Sequence, residues 1–355
     1  MDRVATVIRG FFVAGLASLA AASVNAAGII PRDGQDRDRD AAKALADGSA
    51  EVVRSAVTEA NRFETDHLVL YIDKGLLATD AEREFSNSLE RHFVATMDYL
   101  QRRFDPASRK TAKPTYYLTN RAGISHAEAT RVFLFARRVI ASPAIAIHET
   151  VHLLLFTDPD APRARTDLSP KQDARVNATA GAWLADGVAG YVAYELAARL
   201  GIEPDHLFVK GDRTTVDAES REWLRDPRGA KVVGFVGSRG IPGDFLADRV
   251  NVAPPFYVLS QSFTKYLVEH AGLAAIVRLY EVHFAGTRSI EDDMRRATGK
   301  ELGRWRQEWL DALGVSGASR VPSVRGLGTS RLDCRVNTGS WGEGHGSMRG
   351  HRMAE

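Results

Sequence analysis

Residues 145–155, IAIHETVHLLL, place two imidazoles and a carboxylate inside an otherwise apolar run. Ser142 can cap a helix here and Pro143 suits its first turn, so the segment reads as a helix that reaches His148 in its second turn. Side chains at i and i+4 stand one above the other on a helix, so His148 and His152 point at one volume, the spacing that two ligands of one Zn²⁺ require. Glu149 is rotated about 100° from His148. A carboxylate there reaches a metal-activated water without binding the metal, where a general base is wanted. Ile145, Ile147, Leu153, Leu154 and Leu155 mark the helix as buried. Burying an acid and two imidazoles without partners costs several kcal/mol, and a metal satisfies all three. The pattern is H-E-x-x-H.

A catalytic zinc keeps three protein ligands and one open position, so a third ligand must come from elsewhere. Asp158, Asp160 and Asp167 follow closely, but they sit in a Pro-rich stretch that reads as a solvated connection. Asp186 is the better candidate, because WLADGVAGYVA places it on an apolar, Ala-rich helix where a lone carboxylate needs a reason. The alternative is an acid at that helix's solvent edge beside Gly187.

With these residues in view, the chain resembles the gluzincin metallopeptidases, thermolysin-like and aminopeptidase-like enzymes with H-E-x-x-H on one helix and the third ligand, usually Glu, on the next. In the aminopeptidase-type members that second helix reads W-L-x-E-G-x-A-x-Y. Trp183, Leu184, Gly187, Ala189 and Tyr191 match it, with Asp186 at the ligand position. Those enzymes also carry a transition-state tyrosine opening a helix that ends in Tyr-Leu, and Tyr257 stands at the same offset before Tyr266-Leu267. The resemblance spans about residues 65–314 and implies one Zn²⁺ per chain held by His148, His152 and Asp186, with Glu149 and Tyr257 catalytic and a peptide or protein as substrate. Three departures stand beside it. Asp replaces Glu, 33 residues separate His152 from Asp186, and no G-A-M-E-N-like segment for a substrate amino terminus is present. The resemblance therefore implies the peptidase core, with endo- versus exopeptidase action left open.

Upstream of the histidines, HLVLYI (67–72), PTYYLT (114–119) and RVFLFARRVI (131–140) read as strands. DAEREFSNSLERHFVATMDYLQRRF (80–104) reads as an amphipathic helix with Phe85, Leu89, Phe93, Met97 and Leu100 along one stripe. RVFLFARRVI is either the edge strand that lines a peptide cleft or an interior strand. Downstream, 180–200, 256–270, 272–284, the stretch IEDDMRR with Ser289 and Asp292 as a capping box, and ELGRWRQEWLDAL are helical, whereas 203–252 resist assignment. The expected class is α+β: a small αβ lobe of mixed sheet plus helix over 61–157 ending in the H-E-x-x-H helix, a mainly helical lobe over 158–314 carrying the third ligand, and a zincin-like cleft between them.

The first 26 residues have Arg3 and Arg9 ahead of a short apolar run and small residues near Ala26, the layout of a cleavable secretory signal. The run falls short of the ~20 residues of a spanning helix, which weakens the reading as an anchor. The expected location is periplasmic or secreted, with no membrane span after cleavage. Residues 27–60 read as a flexible lead-in, with order beginning near Asn61, and 315–355 as a disordered tail whose His345 and His351 are solvated. Cys334 is the sole cysteine and forms no internal disulfide. Lys plus Arg (47) nearly balances Asp plus Glu (45), which excludes a basic nucleic-acid footprint. An exported zinc peptidase is the leading expectation. The alternative is a metallopeptidase-like binding or assembly protein of the cell envelope, and a structural zinc site is disfavoured for want of cysteines. Oligomeric state leaves no mark in the sequence.

Overall fold

A computed structural model describes residues 47–102, 113–121, 125–128, 130–156, 182–202, 215–237, 249–285 and 289–315. The expected signal (1–26), Asp158, Asp160, Asp167, Cys334, His345 and His351 lie outside the described residues.

The sheet follows from period-2 alternation. In β2 (Val69–Asp73) Leu70 and Ile72 alternate with Tyr71; in β3 (Thr115–Thr119) Tyr116 and Leu118 flank Tyr117; in β5 (Arg131–Phe135) Val132 and Leu134 flank Phe133. Successive side chains point to opposite faces, so each strand offers one set to each side. β1 (Ala60–Glu64) pairs antiparallel with β2, β2 runs parallel to β3 and β3 to β5, and β4 (His126–Glu128) closes the order β1-β2-β3-β5-β4 antiparallel to β5. This is a mixed sheet in an α+β chain.

On one face the register sets Tyr71, Tyr117, Phe133 and His126 side by side, with stacked ring centroids 5.4, 5.1 and 4.8 Å apart. Helix α1, residues 47–59, covers this ladder, burying Val52 and Ala56 with Tyr117 and Phe133. Its Ser49 hydroxyl donates to Glu128 Oε1 at 2.9 Å and lies 3.0 Å from His126 Nε2. Order thus begins before Asn61, inside the expected lead-in. The contact rests on two apolar residues one turn apart and a buried serine, too few to show against a polar composition.

The opposite face, with Leu70, Ile72, Tyr116, Leu118, Val132 and Leu134, joins the main core. Helix α2 (Thr79–Tyr99) presses Leu89, Phe93 and Met97 into it, at the i, i+4, i+8 spacing of one helix stripe. His92 is buried beside them, its Nε2 3.4 Å from the Ser88 hydroxyl. Burial, and after it the charge of Arg91, push its pKa down to about 4. A histidine kept neutral in the fold binds fewer protons than in the unfolded chain, so its contribution is complete above the unfolded value of about 6.5 and is lost as pH falls toward 4. His92→Leu is therefore expected to gain stability relative to wild type by ~3 kcal/mol between pH 7 and pH 4. Urea unfolding of both proteins across that range checks it.

β5 stops at Phe135, whose N–H donates to Ser125 Oγ at 3.0 Å; Arg137 N–H donates to Asn120 Oδ1 at 3.2 Å, and the chain turns into α3 (Ala136–Ala141). Only half of RVFLFARRVI is strand. It is an interior strand, because β4 pairs along its far side.

Helix α4 (Ala144–Phe156) carries the H-E-x-x-H motif and α5 (Ala182–Leu200) carries Asp186. In the stretch that resisted assignment, α6 (Val216–Arg225) and α7 (Pro227–Val232) are helical. The signals are local: Thr215 Oγ1 accepts from Ala218 N–H, and Asp226 Oδ1 accepts from Arg228 N–H with Pro227 opening the helix. Helix α8 (Arg249–Ala271) starts ahead of the expected residue 256 and contains Pro254 and Pro255, whose lack of N–H does not end it. α9 (Leu273–Ala285), α10 (Ile290–Thr298) and α11 (Leu302–Ala312) complete the described fold. Ser289 Oγ accepts from Asp292 N–H at the start of α10, as the capping-box spacing requires. No helix among the described residues is long and apolar enough to cross a membrane.

Candidate metal centre

Helix α4 is apolar all round, as a helix enclosed by sheet and other helices must be. Its polar exceptions are buried with the rest: His148 is 0%, Glu149 2% and His152 7% exposed. Thr150 Oγ1 donates to the Ala146 carbonyl at 2.6 Å, which uses its only proton. The Tyr116 hydroxyl, 2.9 Å away, must then donate to Thr150 Oγ1. That bond ties the motif helix to β3 one residue past Glu149.

The i, i+4 spacing brings His148 and His152 together as expected, with Nε2 atoms 3.1 Å apart and rings inclined at 78°. Asp186 of α5, 1% exposed, turns its Oδ1 toward both, 3.8 Å from His148 Nε2 and 3.6 Å from His152 Nε2. The solvent-edge alternative for Asp186 is thereby overturned. These separations exceed a hydrogen bond, and neither Asp186 oxygen has a hydrogen-bond partner. His148 Nδ1 and Glu149 Oε2 are likewise buried without one.

Such a group of orphaned atoms costs several kcal/mol unless something answers it. Ligand atoms in a tetrahedral site with bonds of ~2.0–2.1 Å stand about 3.3–3.4 Å apart. The three separations here bracket that value, and the nearest point equidistant from the three atoms, in their plane, is about 2.0 Å from each. His148, His152 and Asp186 could hold a metal ion.

The cluster's own charges agree with that role. Burial disfavours charge on both His152 and Asp186, yet Asp186 and Glu149 together hold the His152 pKa above its usual value, and the two imidazoles hold the Asp186 carboxyl below its usual range.

At the residue after Asp186, α8 lies close against α5. A Cβ at Gly187 would meet Thr264 Oγ1 at 2.4 Å and the Ser260 carbonyl oxygen at 2.7 Å. The Trp183 ring packs tilted against Phe263 at 5.1 Å, and Phe263 likewise against Trp309 at 5.1 Å, so α5, α8 and α11 share one aromatic cluster. Gly187→Ala is expected to push α8 away, lowering unfolding free energy by about 1–3 kcal/mol and weakening metal retention. Denaturant unfolding of the metal-free variant and its metal content after dialysis test both effects.

Tyr257 lies on α8, buried, its ring edge-on to Phe256 at 6.2 Å. Sequence reading missed Tyr116 and Thr150, whose signal was a threonine beside the motif glutamate and a tyrosine at an alternating strand position. No protein-family model matches the chain, and no curated protein or solved structure matches it.

Proposed function

We propose that this chain is an exported, zinc-dependent peptidase of gluzincin type, with its αβ and helical parts as two lobes flanking a substrate cleft. The observation that carries the reading is the convergence of His148 Nε2, His152 Nε2 and Asp186 Oδ1, all buried, with Glu149 one residue along the same helix and one of its carboxylate oxygens unsatisfied. Two imidazoles and one carboxylate suit zinc, and three protein ligands leave a position open.

A bound zinc supplies Lewis acidity, lowering the pKa of water and polarising a carbonyl oxygen. The protein residues do the rest. Glu149 takes a proton from the attacking water and passes it to the leaving amine. Asp186 and the two histidines would hold the ion through three buried side chains. Tyr257 donates its hydroxyl hydrogen bond to the oxyanion of the tetrahedral intermediate. The Tyr116–Thr150 hydrogen bond holds the helix that presents Glu149, so the base is aimed by the sheet beneath it.

The test is a peptide library incubated with the mature, zinc-loaded protein and read by mass spectrometry, beside the same protein stripped with a chelator. Cleavage that disappears on stripping and returns with zinc supports the peptidase. A zinc-loaded protein that cleaves nothing in the library contradicts it and favours the envelope binding protein.

A further inference from the structure

One helical turn past Asp186 on α5 stands Gly190, where a Cβ would come to 3.3 Å from Oε1 of Gln261 and 3.8 Å from its Cβ. Residues four apart share a helix face, so Gly190 lies on the stripe of α5 that carries Asp186, and Gln261 lies on the stripe of α8 that carries Tyr257. The Gln261 carboxamide is thereby set against the turn of α5 that follows the carboxylate facing the histidines. Glycine at 190 leaves the room it occupies.

This is also the side on which the interior opens. Asp186 and Glu149 are buried to within 2% of full burial, whereas His152 and Gln261 keep a small exposed edge and Gly190 is partly exposed. Gln261 is 8% exposed, and its amide makes no hydrogen bond to any described residue. A carboxamide brings two N–H donors and two lone pairs, and enclosing such a group without partners costs about 1–3 kcal/mol. Packing alone would be served better by Met or Leu, which fill similar space and bring no polar atom. A nearly buried, unpartnered amide beside the metal-facing turn calls for a partner that arrives from outside.

We infer that Gln261 is a substrate-binding residue whose carboxamide pairs with one peptide group of the substrate main chain: Oε1 accepts the peptide N–H and Nε2 donates to a carbonyl. This rests on the reading of the chain as a peptidase. A primary amide and a peptide group are complementary, each with a donor and an acceptor, so the pairing reads the backbone and is indifferent to the side chain at that position. The substrate class that fits is an unmodified peptide backbone, with discrimination against N-methylated peptides.

The substrate for the test is a library peptide that the zinc-loaded wild type cleaves, together with the same peptide N-methylated at each position in turn. KM and kcat are measured for wild type and for Gln261→Met, which keeps the side chain's length and loses the amide, beside zinc content and the thermal midpoint of the metal-free proteins. The expected result for Gln261→Met is a KM raised about 10-fold, with zinc content at the wild-type level and the midpoint equal or higher. N-methylation at one position is expected to raise KM by a similar factor in wild type and to add nothing in Gln261→Met. Wild-type KM in Gln261→Met overturns the inference while the peptidase stands, and so does a rise accompanied by loss of zinc or a lower midpoint, which marks a packing defect. The methylation series in wild type needs no variant: no position at which it raises KM likewise overturns the inference. A zinc-loaded wild type that cleaves nothing overturns it together with the function on which it rests.

Discussion

Glu149→Gln is expected to retain zinc at the wild-type level and to hydrolyse peptides roughly 100- to 10,000-fold more slowly, the range over which a positioned general base contributes. The substitution keeps the side chain's volume in a site where it is 2% exposed and removes its ability to take a proton. Gln also ends the burial of a carboxylate oxygen without a hydrogen-bond partner, so the variant is expected to be at least as stable as wild type in the metal-free state. A loss of turnover at constant metal content and constant stability separates a base from a ligand. Equal turnover in the two proteins would remove Glu149 from the chemistry. Zinc content by elemental analysis and kcat/KM on a cleaved library peptide are the two readouts.

The second large effect is the loss of the ion itself. Asp186→Ala takes away the only carboxylate within reach of both imidazoles among the described residues, leaving two ligands on one helix. Zinc is expected to fall to background after dialysis, and hydrolysis with it. Asp186→Glu tests the geometry more finely. The added methylene brings back the residue type usual in the gluzincins, but α5 is already drawn in against α8 at Gly187, so the longer side chain is expected to crowd the imidazoles and bind zinc more weakly than wild type. Dialysis followed by elemental analysis ranks the three proteins. Zinc retained in full by Asp186→Ala would show that a different residue completes the site.

The site was legible from sequence where chemistry and helical period coincide. H-E-x-x-H sets two imidazoles and a flanking carboxylate on one turn of helix, and an aspartate inside WLADGVAGYVA stands on a mostly apolar helix, where its burial removes the solvent-edge alternative. What the sequence does not show is how close the helices come. Gly187 looks like one small residue among several, and only the position of Thr264 and Ser260 reveals that the approach of α8 depends on it.

For the fold, the strands with clean alternation were readable and the exceptions have local causes. RVFLFARRVI keeps an apolar appearance past Phe135, but Ser125 and Asn120 capture its N–H groups and turn it into helix. The helices between 215 and 232 were hidden because their charged faces dominate the composition, although Thr215 and the Asp226-Pro227 pair carry ordinary helix-start signals. Helix α1 was hidden for the opposite reason: it holds its place through Val52, Ala56 and a buried serine, and most of its surface faces water.

His148, His152 and Asp186, read as a zinc site, stand or fall on the protein's metal content. The most direct measurement is elemental analysis of the purified mature protein, as isolated and after reconstitution with zinc followed by dialysis. One zinc per chain, retained through dialysis, is the expected result. A wild-type protein that holds no zinc even after reconstitution would rule out a zinc site at these residues.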